Sequence, residues 1–152
     1  MYLLDTDVFS ITSPASKLAG TKVDAWRSWV HLNEDYLYLS VITIMEIRFG
    51  IERLEAKGAV KKADLLRRWL SAAEIVYRSH VIPVAVEIAH RAGELLSQAV
   101  TDGARPTTED ALIAATADVK HLRLLSRNGK DMKALRVAWS DPLSSLPHGG
   151  SR

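Results

Sequence analysis

Four of the 18 acidic residues in this 152-residue chain stand where a carboxylate is hard to explain as ordinary surface. Asp5 directly follows the apolar run Met1–Leu4. Glu46 lies within Val41-Ile42-Thr43-Ile44-Met45-Glu46-Ile47-Arg48-Phe49-Gly50, with Ile42, Phe49 and Gly50 as its helical neighbours. Asp110 opens Asp110-Ala111-Leu112-Ile113-Ala114-Ala115-Thr116-Ala117, whose small apolar face suits close packing on a sheet. Asp131 comes after the apolar run Leu122–Leu125 and the segment Ser126-Arg127-Asn128-Gly129-Lys130. Each has an ordinary explanation when taken alone. Asp5 could be a turn residue or helix cap, Glu46 a salt-bridge partner of Arg48 or Arg53, and Asp131 a loop acid. Asp110 and its neighbour Glu109 could both serve the helix macrodipole, a role assigned here to Glu109. The case rests on the combination. Two carboxylates about 5 Å apart repel by roughly 3 kcal/mol at an effective dielectric near 20. Four converging acids therefore need a cation. Oxygen ligands without cysteine or paired histidine select Mg²⁺ or Mn²⁺, and such an ion can activate water for phosphodiester cleavage.

Convergence requires elements that bring the four together. Met1–Leu4 reads as a buried strand ending on Asp5. A short helix is expected over 7–13, stopped by Pro14, and another over Val23–Leu32 with Trp26, Trp29 and Val30 on one face. Tyr36–Leu39 reads as a second strand, and Ser40 as the cap of a helix from Val41 to about Lys57, stopped by Gly58. Val60–Val76 is helical, with Leu65, Leu66, Trp69 and Leu70 inward. A third strand is expected over His80–Ile82, then a helix over 84–100 broken at Asp102-Gly103. Thr107 or Thr108 caps a helix to about Lys120, Leu122–Leu125 is a fourth strand, Gly129–Leu135 a turn or short helix, and Arg136–Trp139 a last strand. Short strands alternating with long helices imply an α/β fold, a mostly parallel sheet of four to five strands flanked by helices. Ligands in such sheets sit beyond the carboxyl ends of the strands. That places Asp5 and Asp131 at one end, with Glu46 and Asp110 on helix faces turned toward it.

Composition sets the outer limits. The length fits one domain, read as residues 1–145, with a flexible tail over 146–152. Hydrophobic residues are 47% and charged residues 25%, as in globular proteins. The absence of cysteine excludes disulfides, a cysteine zinc site and a cysteine nucleophile. No apolar run is long enough for a membrane helix, and the acidic start does not resemble a secretory signal, so a cytoplasmic protein is expected. The net charge of +2 argues against a simple cationic nucleic-acid binder. If four acids surround a metal, however, the remaining surface is more basic.

The same segments carry a family resemblance. Leu3-Leu4-Asp5-Thr6-Asp7-Val8, the stretch from Leu39 to Ile51, Glu109 to Ala117, and Ser126 to Asp131 resemble, in order, the motifs of PIN-domain ribonucleases. The match is to the VapC toxins of VapBC toxin–antitoxin pairs in particular. The resemblance implies a PIN-like three-layer fold, a Mg²⁺-dependent endoribonuclease (Mn²⁺ able to substitute) that inhibits growth, a homodimer and a VapB-like antitoxin. It implies catalytic metal ligands at Asp5, Glu46, Asp110 and Asp131. Thr6, Asp7 and Ser126 would orient ligands or phosphate, and Arg48, Arg127 and Lys130 would contact RNA phosphates. Two positions depart from the pattern: Asp7 replaces a common Asn, and Met132 a usual Phe.

Asp5-Thr6-Asp7 also resembles the nucleophile motif of haloacid-dehalogenase-like phosphatases, but Phe9 and the lack of a paired acid loop count against it. A non-catalytic PIN-like module that binds RNA or protein is the alternative within the fold. The five histidines do not pair at metal spacing, and Trp26, Trp29 and Trp69 are expected in core or dimer contacts. Lys61, Lys62, Arg67 and Arg68 read as a solvated basic face.

Overall fold

Strand β1 (Tyr2–Leu4) is only three residues long, and all three are buried. Alternation sends Tyr2 and Leu4 to one face of the sheet and Leu3 to the other, and each face has its own apolar core. That is why the strand reads as an unbroken apolar run: both faces are covered. The structure is a computed structural model that describes residues 1–149; Gly150, Ser151 and Arg152, part of the expected tail, lie outside the described residues. Ahead of them, the Tyr2 hydroxyl donates to the His148 carbonyl at 2.9 Å.

The chain continues through α1 (Thr6–Ser10), α2 (Thr21–Leu32), a 3-10 turn (Glu34–Tyr36), β2 (Leu37–Ser40), α3 (Val41–Ala56) and α4 (Val60–Val76). It then forms β3 (Val81–Ile82), α5 (Val86–Thr101), α6 (Thr108–Val119), β4 (Arg123–Leu125), α7 (Gly129–Ala134) and β5 (Trp139–Ser140). The sheet order is β3-β2-β1-β4-β5, and every pairing is parallel. The chain moves outward from β1 through β2 to β3, then returns to the opposite side of β1 as β4. The carboxyl ends of β1 and β4 therefore flank a topological switch point, where α/β sheets bind ligands.

One core packs beneath α1 to α4. Trp26 and Trp29 stack there with ring centroids 5.4 Å apart, and the Trp26 indole N–H donates to the Val8 carbonyl at 3.0 Å. The other core joins Leu3 and Leu124 to the apolar faces of α5, α6 and α7. Ala111, Ala114, Ala115 and Ala117 let α6 lie close to the sheet.

Several local expectations are corrected. The first helix opens at Thr6, because Asp5 caps it, and ends at Ser10. Leu65 is exposed; the buried stripe of α4 runs through Ala63, Leu70 and Ala73. The fourth and last strands both start later than expected. His121 and Arg136 adopt positive φ (53° and 55°) and close α6 and α7. Leu122 N–H then bonds back to Ala117 O at 2.9 Å and Val137 N–H to Met132 O at 3.3 Å, so neither segment is extended yet.

Candidate active site

Asp5 is nearly fully buried, 5% exposed, at the end of the central strand. Its backbone N–H donates to Leu125 O at 2.9 Å, which locks it beside β4. Its Oδ1 accepts from the Thr6 N–H at 2.7 Å, capping α1. Its Oδ2 accepts from the Ser126 hydroxyl at 2.6 Å. Ser126 Oγ in turn accepts the Asn128 N–H at 2.9 Å, which aims the hydroxyl proton at Asp5. Burial raises the Asp5 pKa above the usual carboxylate value. The Ser126 and Thr6 donors oppose that rise, and the charge of Asp110 adds to it.

Glu46 projects from α3, half-buried. Its Oε2 accepts from the Thr6 hydroxyl, whose oxygen also lies 3.3 Å from that of the buried Thr43. The alternative explanation of Glu46, a salt bridge to Arg48 or Arg53, does not hold among the described residues: Arg48 pairs with Glu52 at 2.9 Å. Phe49, expected beside Glu46 on an apolar stripe, is 67% exposed. Burial raises the Glu46 pKa, Thr6 opposes this, and the charges of Asp5, Asp110 and Glu109 raise it further. Glu109, assigned from sequence only to the helix dipole, thus faces the site electrostatically.

Asp110 belongs to a capping box at the start of α6. Its N–H donates to Thr107 Oγ1 at 3.1 Å, and its Oδ2 accepts from the Thr107 hydroxyl at 2.8 Å. Its Oδ1 accepts from the Asn128 side-chain amide at 3.3 Å. The same amide donates to Asp131 Oδ2 at 2.8 Å. Asn128 therefore ties acids from α6 and α7 together, a role the sequence reading did not assign it. Its position among Ser126, Asp131 and two basic residues was the available signal.

Asp7 accepts the Arg127 backbone N–H at 3.2 Å. Partial burial and the charge of Asp5 push its pKa up to about 6, against the lowering donors of Val8 and Arg127. The side chains of Arg127 and Lys130 extend toward solvent. Asp5, Glu46, Asp110 and Asp131 thus form a chain linked by charge and by one shared amide. Among the described residues, no three acidic or histidine groups are drawn close enough to hold a cation as they stand. Hydroxyl and amide donors occupy their lone pairs instead. The donor chemistry nevertheless fits a hard divalent ion: all-oxygen ligands, with burial first and neighbouring carboxylate charge second raising the pKa of Asp5 and Glu46.

A parallel three-layer α/β fold with carboxylates at its switch point defines a class of acidic-site proteins. The PIN domain model matches residues 2–138, and the chain belongs to the PIN-domain family. It is 31% identical over 143 residues to Toxin FitB of Neisseria gonorrhoeae, covering 93% of this chain and 98% of that protein. It is 29% identical to VapC ribonuclease Y4jK of Sinorhizobium fredii, covering 93% and 97%. Among solved structures, the FitAcB complex from Neisseria gonorrhoeae superposes with a TM-score of 0.76 at 29% identity, covering 93% and 98%. FitAB bound to a DNA fragment gives 0.76 at 28% identity, covering 97% and 99%. The VapBC complex from Salmonella typhimurium, at 22% identity, shares the fold with a TM-score of 0.67.

Proposed function

We propose that this chain is the ribonuclease toxin of a toxin–antitoxin pair, with Asp5, Glu46, Asp110 and Asp131 as its metal ligands. The observation that carries the reading is the buried Asp5. It is held by Ser126 and exposed to the charge of Asp110 at the switch point of a PIN fold. A bound Mg²⁺ or Mn²⁺ supplies charge neutralisation and an activated water. The protein's part is positional. Ser126 and Thr6 hold Asp5 and Glu46 in fixed rotamers and favour their ionised forms. Asn128 sets the spacing of Asp110 and Asp131, and Arg127 and Lys130 lie beside these acids to meet phosphate.

The relatives are named as toxins and as toxin–antitoxin complexes, which supports a VapB-like antitoxin partner. A groove of about 390 Å³ beside Glu46, between α3, α4 and residues 10–18, is suited to a peptide segment of that antitoxin. Ile47, Ile51, Leu54, Leu66 and Trp69 give it an apolar floor. The working unit is a homodimer, and its site of action is the cytoplasm, where its RNA lies. No helix among the described residues is long and apolar enough to cross a membrane.

The test compares RNA cleavage by wild type and Asp110→Asn, with Mg²⁺ and then with EDTA. Cleavage that requires both the metal and Asp110 is expected. Equal cleavage by the two proteins, or cleavage unaffected by EDTA, refutes the assignment. A Mn²⁺ titration of wild type and Asp5→Ala checks the site without RNA, and equal binding by both would refute it.

A further inference from the structure

A second recess, of about 590 Å³, opens beside the acids between the α5–α6 connection and α7. Arg105, Lys130 and Lys133 line it together with Asp102 and Asp131. All three cations are exposed, and none has an ion-pair or hydrogen-bond partner among the described residues. Asp102 is paired with Arg136 at 2.7 Å, whereas Asp131 accepts from the neutral Asn128 amide and keeps its charge. Elsewhere Arg48, Arg67 and Arg91 each bind carboxylates. Arg105, Lys130 and Lys133 outnumber the one carboxylate without an ion-pair partner in the recess, Asp131, which leaves a local excess of positive charge beside the proposed active site.

The backbone there is held in place. Gly103 adopts φ +79°, and the Ala104 N–H bonds to Ala99 O at 2.9 Å, closing α5. Pro106 then fixes the next turn, and Thr107 starts the capping box that contains Asp110. Arg105 sits between these two constraints, so the turn that places Asp110 also places Arg105. On the other wall, Lys130 and Lys133 flank Asp131 on α7.

We propose that this recess seats the RNA sugar–phosphate backbone next to the cleavage position, with Arg105, Lys130 and Lys133 neutralising successive phosphates. Nucleotides flanking the scissile bond on one side would run over α7 and the α5–α6 connection. The groove by α3 and α4 stays free on the other side of Glu46. Phosphate contacts of this kind set register and do not read sequence. The assignment rests on the nuclease reading and adds the path of its substrate.

The test is RNA binding in EDTA, without turnover, by fluorescence anisotropy of a labelled mixed-sequence single-stranded RNA across a salt series. The test variant is Arg105→Gln/Lys130→Gln/Lys133→Gln. Its charge-matched control is Arg53→Gln/Lys57→Gln/Arg78→Gln, at the far end of α3 and ahead of β3. Thermal melting establishes that both fold. Each phosphate contact on a single strand contributes about 0.7 to the slope of log affinity against log salt. The recess variant is expected to lose about 2 from that slope and at least about tenfold in affinity at low salt, with the control near wild type. The single variant Arg105→Gln is expected to lose about 0.7. Equal losses in recess and control variants would overturn the proposal, as would an unchanged slope in the recess variant when wild type binds and cleaves RNA. A recess variant that keeps its RNA affinity but loses the antitoxin would assign the recess to protein instead. Wild type that neither binds nor cleaves RNA would reject the nuclease reading itself.

Discussion

Gly129, the first residue of α7, is the position where one methyl group should do most damage near the site. A Cβ built there would lie 2.4 Å from Trp139 Cη2 and 2.5 Å from Cζ2. Carbon atoms pack at about 3.5–4.0 Å, so the indole would have to retreat by about 1 Å. Overpacking of a close-packed core costs about 1–3 kcal/mol, and because Trp139 is 38% exposed the cost here falls toward the lower part of that range. Alanine is otherwise favoured over glycine in a helix by up to about 1 kcal/mol. The two effects have opposite signs, so the sign of the result is decisive. Gly129→Ala is expected to destabilise wild type by about 1 kcal/mol in urea denaturation. In a Trp139→Ala background the same change should become neutral or stabilising. Because Asn128 immediately precedes Gly129 and links Asp110 with Asp131, Mn²⁺ affinity should fall in the single variant and recover in part in the double. A stabilised Gly129→Ala, or an equal cost in both backgrounds, would refute the contact as the cause.

Three further outcomes are expected. Ser126→Ala removes the donor that lowers the Asp5 pKa, so Mn²⁺ affinity should fall about tenfold or more and its onset shift to higher pH, read by titration at several pH values. Asp7 has its folded pKa raised to about 6, so the folded state holds the proton more tightly than the unfolded one between the ordinary value of 3.8 and about 6. Its contribution to stability is greatest below pH 4 and is lost as pH rises through 6. Asp7→Asn should therefore raise the melting temperature at pH 7.5, with the advantage shrinking toward pH 4. Gly103→Ala forces a side chain into φ +79° and should cost about 1–2 kcal/mol, measured by thermal melting.

The parts of this fold legible in the sequence were those where periodicity and chemistry agreed. Met1–Leu4 ending on Asp5 showed a buried strand and the carboxylate at its end together, and Ser40 marked both a strand end and a helix cap. The boundary of α4 at Val60–Val76 was visible because its apolar pattern is long. Its inner face was less so, since Leu65 and Leu66 are alike in type and only packing distinguishes them. Strand starts after α6 and α7 were obscured because His121 and Arg136 take left-handed conformations that glycine usually signals. In the site, spacing suggested which acids could meet. It could not show that a single amide of Asn128 would span two of them, nor that Glu109 would add its charge. Arg48 flanks Glu46 in sequence, and in the fold it pairs across one helical turn with Glu52.

The strand order also sets when this site can exist. β1 lies between β2 and β4, so on the ribosome the segment carrying Asp5 emerges long before one of its two neighbours. Ser126, which holds Asp5, and Asn128, which ties Asp110 to Asp131, follow β4 and come later still. No partial chain ending before that strand can assemble the acidic cluster, whatever its helices do. With these acids as the proposed catalytic site, the growing chain would be harmless until nearly the whole domain is translated, and an antitoxin would need to capture only the finished product.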